Sequence, residues 1–157
     1  MILHKADRLD GFKIIARYLT DRQYWRLLAG VWTSTESPTF RLAEWQRLFR
    51  SRRPGRKYLM DAAERQTLAK LPEVVRIYRA CSEQAVGSLA WTLDRSRAEF
   101  FRHYYALRGI SCQLWCGDIG KRHILAFLNG RQEKEVVVNA RYLINVTLAE
   151  ASEAAAA

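Results

Sequence analysis

Up to Pro72 the apolar residues return every three or four positions, and beyond it they return every second one. The first regime predicts helices. Asp10 or Gly11 opens a segment that runs through Tyr18. Thr20 and Gln23 then have the spacing of a capping box ahead of Trp25, Leu28 and Trp32, which form a core-facing stripe. Thr33 to Pro38 is rich in hydroxyls and ends in proline, so it breaks that helix. Leu42, Trp45, Leu48 and Phe49 define another amphipathic helix, and Asp61 with Glu64 starts a short one that Pro72 ends.

In the second regime Val75, Ile77 and Arg79 share one strand face, and Ser88, Ala90 and Thr92 share a face of the next strand, after a turn containing Gly87. Asp94 caps a helix whose Ala98, Phe101 and Tyr105 are spaced to pack on a sheet, with Gly109 at its exit. Ser111 to Cys116 reads as a strand, Gly117 to Gly120 as a turn and Val136 to Val138 as a strand core. A last strand alternates Tyr142, Ile144, Val146 and Leu148 with Leu143, Asn145 and Thr147. The predicted class is α+β, with a helical extension over 1–72, a mixed β core over 73–148 and a flexible alanine-rich tail over 149–157.

Composition adds two constraints. A chain of 157 residues with 49% hydrophobic content suits one compact domain, or a small catalytic domain with a helical extension. No apolar run is long enough to span a membrane, and the amino terminus lacks the pattern of a secretory signal, so a soluble cytoplasmic protein with no membrane partner is expected. Cys81, Cys112 and Cys116 suggest neither a disulfide framework nor a metal site and read as buried thiols.

The net charge of +10 favours an acidic partner. It is concentrated early: residues 1–72 hold 15 basic and 7 acidic side chains, residues 73–157 hold 11 and 9. Arg50, Arg52, Arg53, Arg56 and Lys57 surround Pro54 and Gly55 in a loop, readable either as a solvated surface or as a patch that captures the partner.

Four features in the second half carry candidate chemistry. They are Tyr78-Arg79, Ala90-Trp91-Thr92 leading into Asp94-Arg95, Asn129-Gly130-Arg131, and Glu133-Lys134-Glu135 running into Val136-Val137-Val138. A carboxylate entering a valine-rich strand requires a wet face or a partner, so a neighbouring arginine or hydroxyl is expected beside Glu135. Alternation puts Glu133 and Glu135 on one face, able to reach a single cleft, and the planar guanidinium of Arg79 suits a phosphate. His123 reads as a surface or loop residue rather than a base, and no glycine-rich dinucleotide or phosphate loop occurs.

The order of these features over about residues 74–148 resembles the ADP-ribosyltransferases of the arginine, serine/threonine, glutamate class. Their signatures are an arginine ending an early strand, a Ser-x-Ser or Ser-x-Thr strand, and a Glu-x-Glu turn entering a late strand. Tyr78-Arg79, Trp91-Thr92 and Glu133-Lys134-Glu135 are similar to these in turn, and Asn129-Gly130-Arg131 resembles the loop used near the acceptor. Ala90 stands where the first serine is usual, and Ala80 where a glycine follows the arginine.

The resemblance implies a split β core and NAD as a consumed co-substrate, with no metal. It implies that Arg79 binds the pyrophosphate and nicotinamide ribose, that Thr92 supports Glu135, and that Glu135 holds the ribose and stabilises developing positive charge. Glu133 would orient or deprotonate the acceptor, and Trp91, Phe100 or Phe101 would stack on nicotinamide. The implied activity is transfer of ADP-ribose to a macromolecule, in particular a protein or nucleoprotein assembly, in a setting such as a toxin, effector or phage-encoded modifier. Two alternatives are a basic nucleic-acid-binding module and a catalytically inactive interaction protein that keeps the transferase-like fold.

Overall fold

A computed structural model describes residues 7–35 and 41–149. The chain divides into two units, Met1–Arg65 and Gln66–Ala157.

The first unit is helical, as the period predicts. Helix α1 covers Arg8–Ile15 and continues as a short 3-10 turn over Ala16–Tyr18. Helix α2, Asp21–Thr33, begins with the anticipated reciprocal capping box between Thr20 and Gln23. Helix α3 covers Leu42–Phe49. Their apolar stripes meet in an aromatic core: Trp32 packs edge to face with Trp45 and with Phe49, ring centroids 4.9 and 5.1 Å away. Trp25 is fully buried and its indole N–H donates to the Pro54 carbonyl at 2.8 Å.

That bond draws the basic stretch against the unit, and two of its arginines turn inward. Arg53 donates to the carbonyls of Leu19 and Ala16, both at 2.8 Å, and lies over the Tyr24 ring. Arg56 lies over the Trp25 ring and donates to the Ser51 carbonyl. A guanidinium that satisfies loop carbonyls while its stem covers aromatic surface is part of the packing, so a wholly solvated loop is not what forms. Arg52 and Lys57 remain exposed. Gly55 makes the bend with φ of +77°, where an added Cβ would lie 3.0 Å from the Tyr58 ring.

Helix α4, Ala62–Lys70, contains the division between the units and starts with a second reciprocal cap, Asp61 with Glu64 at 2.8 and 2.9 Å. The second unit is one six-stranded sheet in the order β4-β5-β2-β1-β3-β6, with β1 Val74–Cys81, β2 Ala90–Thr92, β3 Gln113–Gly120, β4 Ile124–Leu128, β5 Glu135–Val138 and β6 Ile144–Leu148. Helix α5, Arg95–Ala106, packs Ala98 against Leu114, Cys116, Ala149 and Tyr78. Mixed α and β structure is therefore observed, with helices first and the sheet after.

Three details differ from the sequence reading. Every strand pairing is antiparallel, which corrects the mixed sheet: most connections are short, and a parallel neighbour needs a long crossover. The expected turn at Gly117 to Gly120 is instead the end of β3, where Asp118 faces Arg76 on β1 and pairs with it at 2.5 Å. Strand β4 has no alternating pattern because all but Leu125 of its residues are buried, so a period of two cannot reveal it. The tail beyond Ala149 lies outside the described residues.

Within the sheet, β1 registers with β3 over its whole length, whereas β1 and β2 share one register pair, Tyr78 with Thr92. Two three-stranded halves, β4-β5-β2 and β1-β3-β6, are thus joined at a narrow seam.

Candidate active site

The seam aligns the sequence candidates. Tyr78 on β1 stands opposite Thr92 on β2, and Thr92 stands opposite Glu135 on β5. Two strand spacings, about 10 Å, separate the outer members of this row. Arg79 follows Tyr78, so strand alternation turns it to the other face of the ladder, beside Trp91. Its guanidinium Nη1 donates to the Ala90 carbonyl, while its Nε is buried with no hydrogen-bond partner.

Glu135 is 7% exposed, and the turn before it supplies its partner. Residues 129–134 close the β4–β5 hairpin. The Asn129 carbonyl accepts from the Gln132 amide at 2.8 Å and its side-chain Oδ1 from the Lys134 amide at 3.0 Å. Gln132 and Lys134 adopt φ of +56° and +46°, a region that non-glycine residues enter only when their surroundings hold them there.

The left-handed Lys134 interrupts the alternation expected of the Glu-x-Glu segment, yet the two carboxylates still converge. Arg131 Nη2 lies 2.9 Å from Glu133 and 3.3 Å from Glu135. One guanidinium thereby offsets the mutual repulsion of two acids. The arginine expected beside Glu135 comes from its own turn. Its signal was the spacing 131, 133, 135, legible only once the turn is known to fold back.

Thr92 is buried and acts on the same turn: its hydroxyl donates to the Glu133 carbonyl at 2.8 Å and accepts from the Asp94 amide at 3.0 Å. The Lys134 carbonyl accepts from the Leu93 amide at 3.0 Å. Replacing Thr92 with valine keeps the shape and deletes every hydrogen bond of its hydroxyl, a longer one to the Lys134 carbonyl at 3.4 Å included. We expect a stability loss of about 1–3 kcal/mol in urea denaturation; an unchanged midpoint would remove the fastening role.

Asp94 extends this connection to the helix. It caps α5 through the Ser96 amide at 2.9 Å, and its carboxylate receives Lys134 Nζ at 2.9 Å. The Ser96 hydroxyl, then the Lys134 ammonium, lower the Asp94 carboxyl from 3.8 to about 2. A carboxyl held lower in the folded chain stabilises fully above its unfolded value, and that stabilisation is lost as pH falls through the folded one. Melting curves between pH 4 and 2 are expected to fall less steeply for Asp94→Asn than for the parent chain; parallel curves would contradict the linkage.

The aromatic candidates separate. Trp91 is 2% exposed with its N–H on the Ser88 carbonyl at 3.1 Å, which places its ring in the packed interior. Phe101 is half-buried on α5, in contact with the rings of Phe100 and Tyr105, and Phe100 is exposed. Tyr105, spaced on α5 to pack on the sheet, has its phenol pushed up by burial; the Arg79 charge opposes this and Glu133 adds to it.

Among the described residues, no group of three or more His, Cys, Asp or Glu side chains could hold a metal ion. No family model, curated protein or solved structure matches this chain.

Proposed function

We propose that the second unit transfers ADP-ribose from NAD to a macromolecular acceptor and releases nicotinamide. The observation that carries the reading is the convergence of Glu133 and Glu135 on one turn that Thr92 fastens from the next strand, with Arg79 one strand further on but on the other face of the ladder. The narrow seam between β1 and β2 supports the finer description of the sheet as a split transferase-like core.

In this reading Arg79 leaves the Ala90 carbonyl and reaches through the narrow seam between β1 and β2, from the other face of the ladder, to the NAD pyrophosphate, for which its directed donors are better suited than for one neutral oxygen. Glu135 accepts from a ribose hydroxyl and stabilises the positive charge that grows on the ring as the bond to nicotinamide breaks. Glu133, nearer solvent, receives the proton of the acceptor. Thr92 is a positioning residue, since its hydroxyl holds the turn that carries both acids. Phe101 with Phe100 supplies the stacking surface for nicotinamide that interior Trp91 does not. The excess of positive charge steers an acidic protein or nucleoprotein assembly toward the chain.

The test is incubation of the folded chain with NAD labelled in its adenylate part, with and without lysate, while free nicotinamide is measured. Nicotinamide release with label on a macromolecule is the expected result. A folded chain that releases no nicotinamide favours an inactive relative, and salt-sensitive retention of nucleic acid by that chain favours the basic binding module.

A further inference from the structure

We propose that α1 and α2 form a docking groove for an acidic amphipathic helix of a partner protein. The inference concerns the first unit and stands independently of the transfer reading. Between the two helices lies an open groove of about 510 Å³ with walls formed by Phe12, Ile14, Ile15, Leu27 and Val31. Ile14 is 69% exposed, and Ile15 and Leu27 are exposed as well. Single exposed apolar side chains are ordinary on a protein surface, but here the groove joins three of them into one concave strip. Such a strip is what the apolar stripe of a second helix fills.

Gly30 keeps the groove open at a cost to the helix. It lies within α2, where glycine is less favourable than alanine. Neither a left-handed backbone nor a close neighbour requires it there: its φ is not positive, and an added Cβ would meet no atom within 4 Å. The missing side chain instead leaves a notch in the groove wall, open to a side chain arriving from outside.

Charge selects the occupant. Arg8 lines the groove, and exposed Arg26 stands one turn before Gly30; neither forms an ion pair among the described residues. The acids within the two helices are already engaged, Asp10 by Arg41 and Lys13 and Asp21 by Arg53. The apolar strip is thus bordered by free positive charge, which complements carboxylates beside the apolar stripe of an incoming helix. A second copy of this chain would bring the same arginines face to face. A lipid surface takes up protruding side chains, and a notch adds nothing to that contact.

The experiment titrates the full chain with a synthetic helix of about 18 residues, leucines along one face and glutamates and alanines elsewhere, and with a counterpart that has lysines for the glutamates. Amide chemical shifts locate binding, and phosphatidylserine vesicles are titrated in parallel. We expect saturable shifts at Ile14, Ile15, Leu27 and Gly30 with the glutamate helix, and binding of the lysine helix at least about tenfold weaker. Gly30→Leu, which fills the notch, is expected to lower affinity for the glutamate helix at least about tenfold. Arg8→Gln is expected to weaken binding and its salt dependence together. Gly30→Ala is expected to melt later than the parent chain, as a helical glycine that packs against nothing allows; an earlier melt would make the notch part of the packing and overturn the inference. No saturable shift with up to about 1 mM of the glutamate helix also overturns it. Equal affinity for the two helices removes the acidic partner. Vesicle binding that Gly30→Leu strengthens, with neither helix bound, assigns the face to a membrane instead.

Discussion

Glu135→Gln is expected to lower nicotinamide release by about a hundred- to a thousandfold, the range found when one preorganised electrostatic group is removed from a reaction centre. Glutamine has the same reach and nearly the same volume as the 7% exposed glutamate, so β5 should pair with β2 and β4 as before. Arg131 also keeps Glu133 as a partner. The change in unfolding free energy should stay within about 1–2 kcal/mol, which separates a chemical effect from a folding one. Release at the parental rate by a variant with the parental circular dichroism would remove Glu135 from the reaction. A large loss of stability would instead make this carboxylate a structural group.

Trp45→Ala carries the largest expected effect on stability, about 3–5 kcal/mol, the range for truncating a buried large aromatic. Trp45 is 1% exposed and meets Trp32 edge to face at 4.9 Å, so removal forfeits its own burial and leaves Trp32 unsupported on one side. Hydrogen exchange at the amides of α2 and α3 is the suitable measurement, because it reports opening of these helices separately from the sheet. Protection unchanged in both helices would mean that the aromatic cluster does not hold the first unit together.

Helix starts were legible because a capping box is a local device. Thr20 with Gln23 and Asp61 with Glu64 close within four residues, and no distant partner can disguise them. The buried faces of α2 and α3 were legible for a similar reason, since one stripe faces one core. Strand β4 was not, because burial on both sides erases alternation. The continuation of β3 through Gly117 and Gly120 was hidden as well: two glycines resemble a turn until Asp118 is seen paired with Arg76 on the adjacent strand.

In the candidate site, residue types and their order could be read, but partners could not. Glu135 required a neighbouring arginine or hydroxyl, and nothing in the sequence said which residue would supply it. Only the left-handed residues at 132 and 134 fold the turn so that Arg131 reaches back to both acids. Arg53 and Arg56 show the same limit, for a run of charge does not announce which members will cap carbonyls in the interior.

Thr92 gives β2 an influence out of proportion to its three residues. Its hydroxyl touches the turn of the acids, its backbone registers with β1, and the next residues open α5. A displacement of this short strand would transmit to the Arg79 side, the acidic side and the aromatic helix at once. Substitutions that retune one of these surfaces through β2 would consequently disturb the other two, whereas changes at Arg131 or Phe100 act on one surface alone.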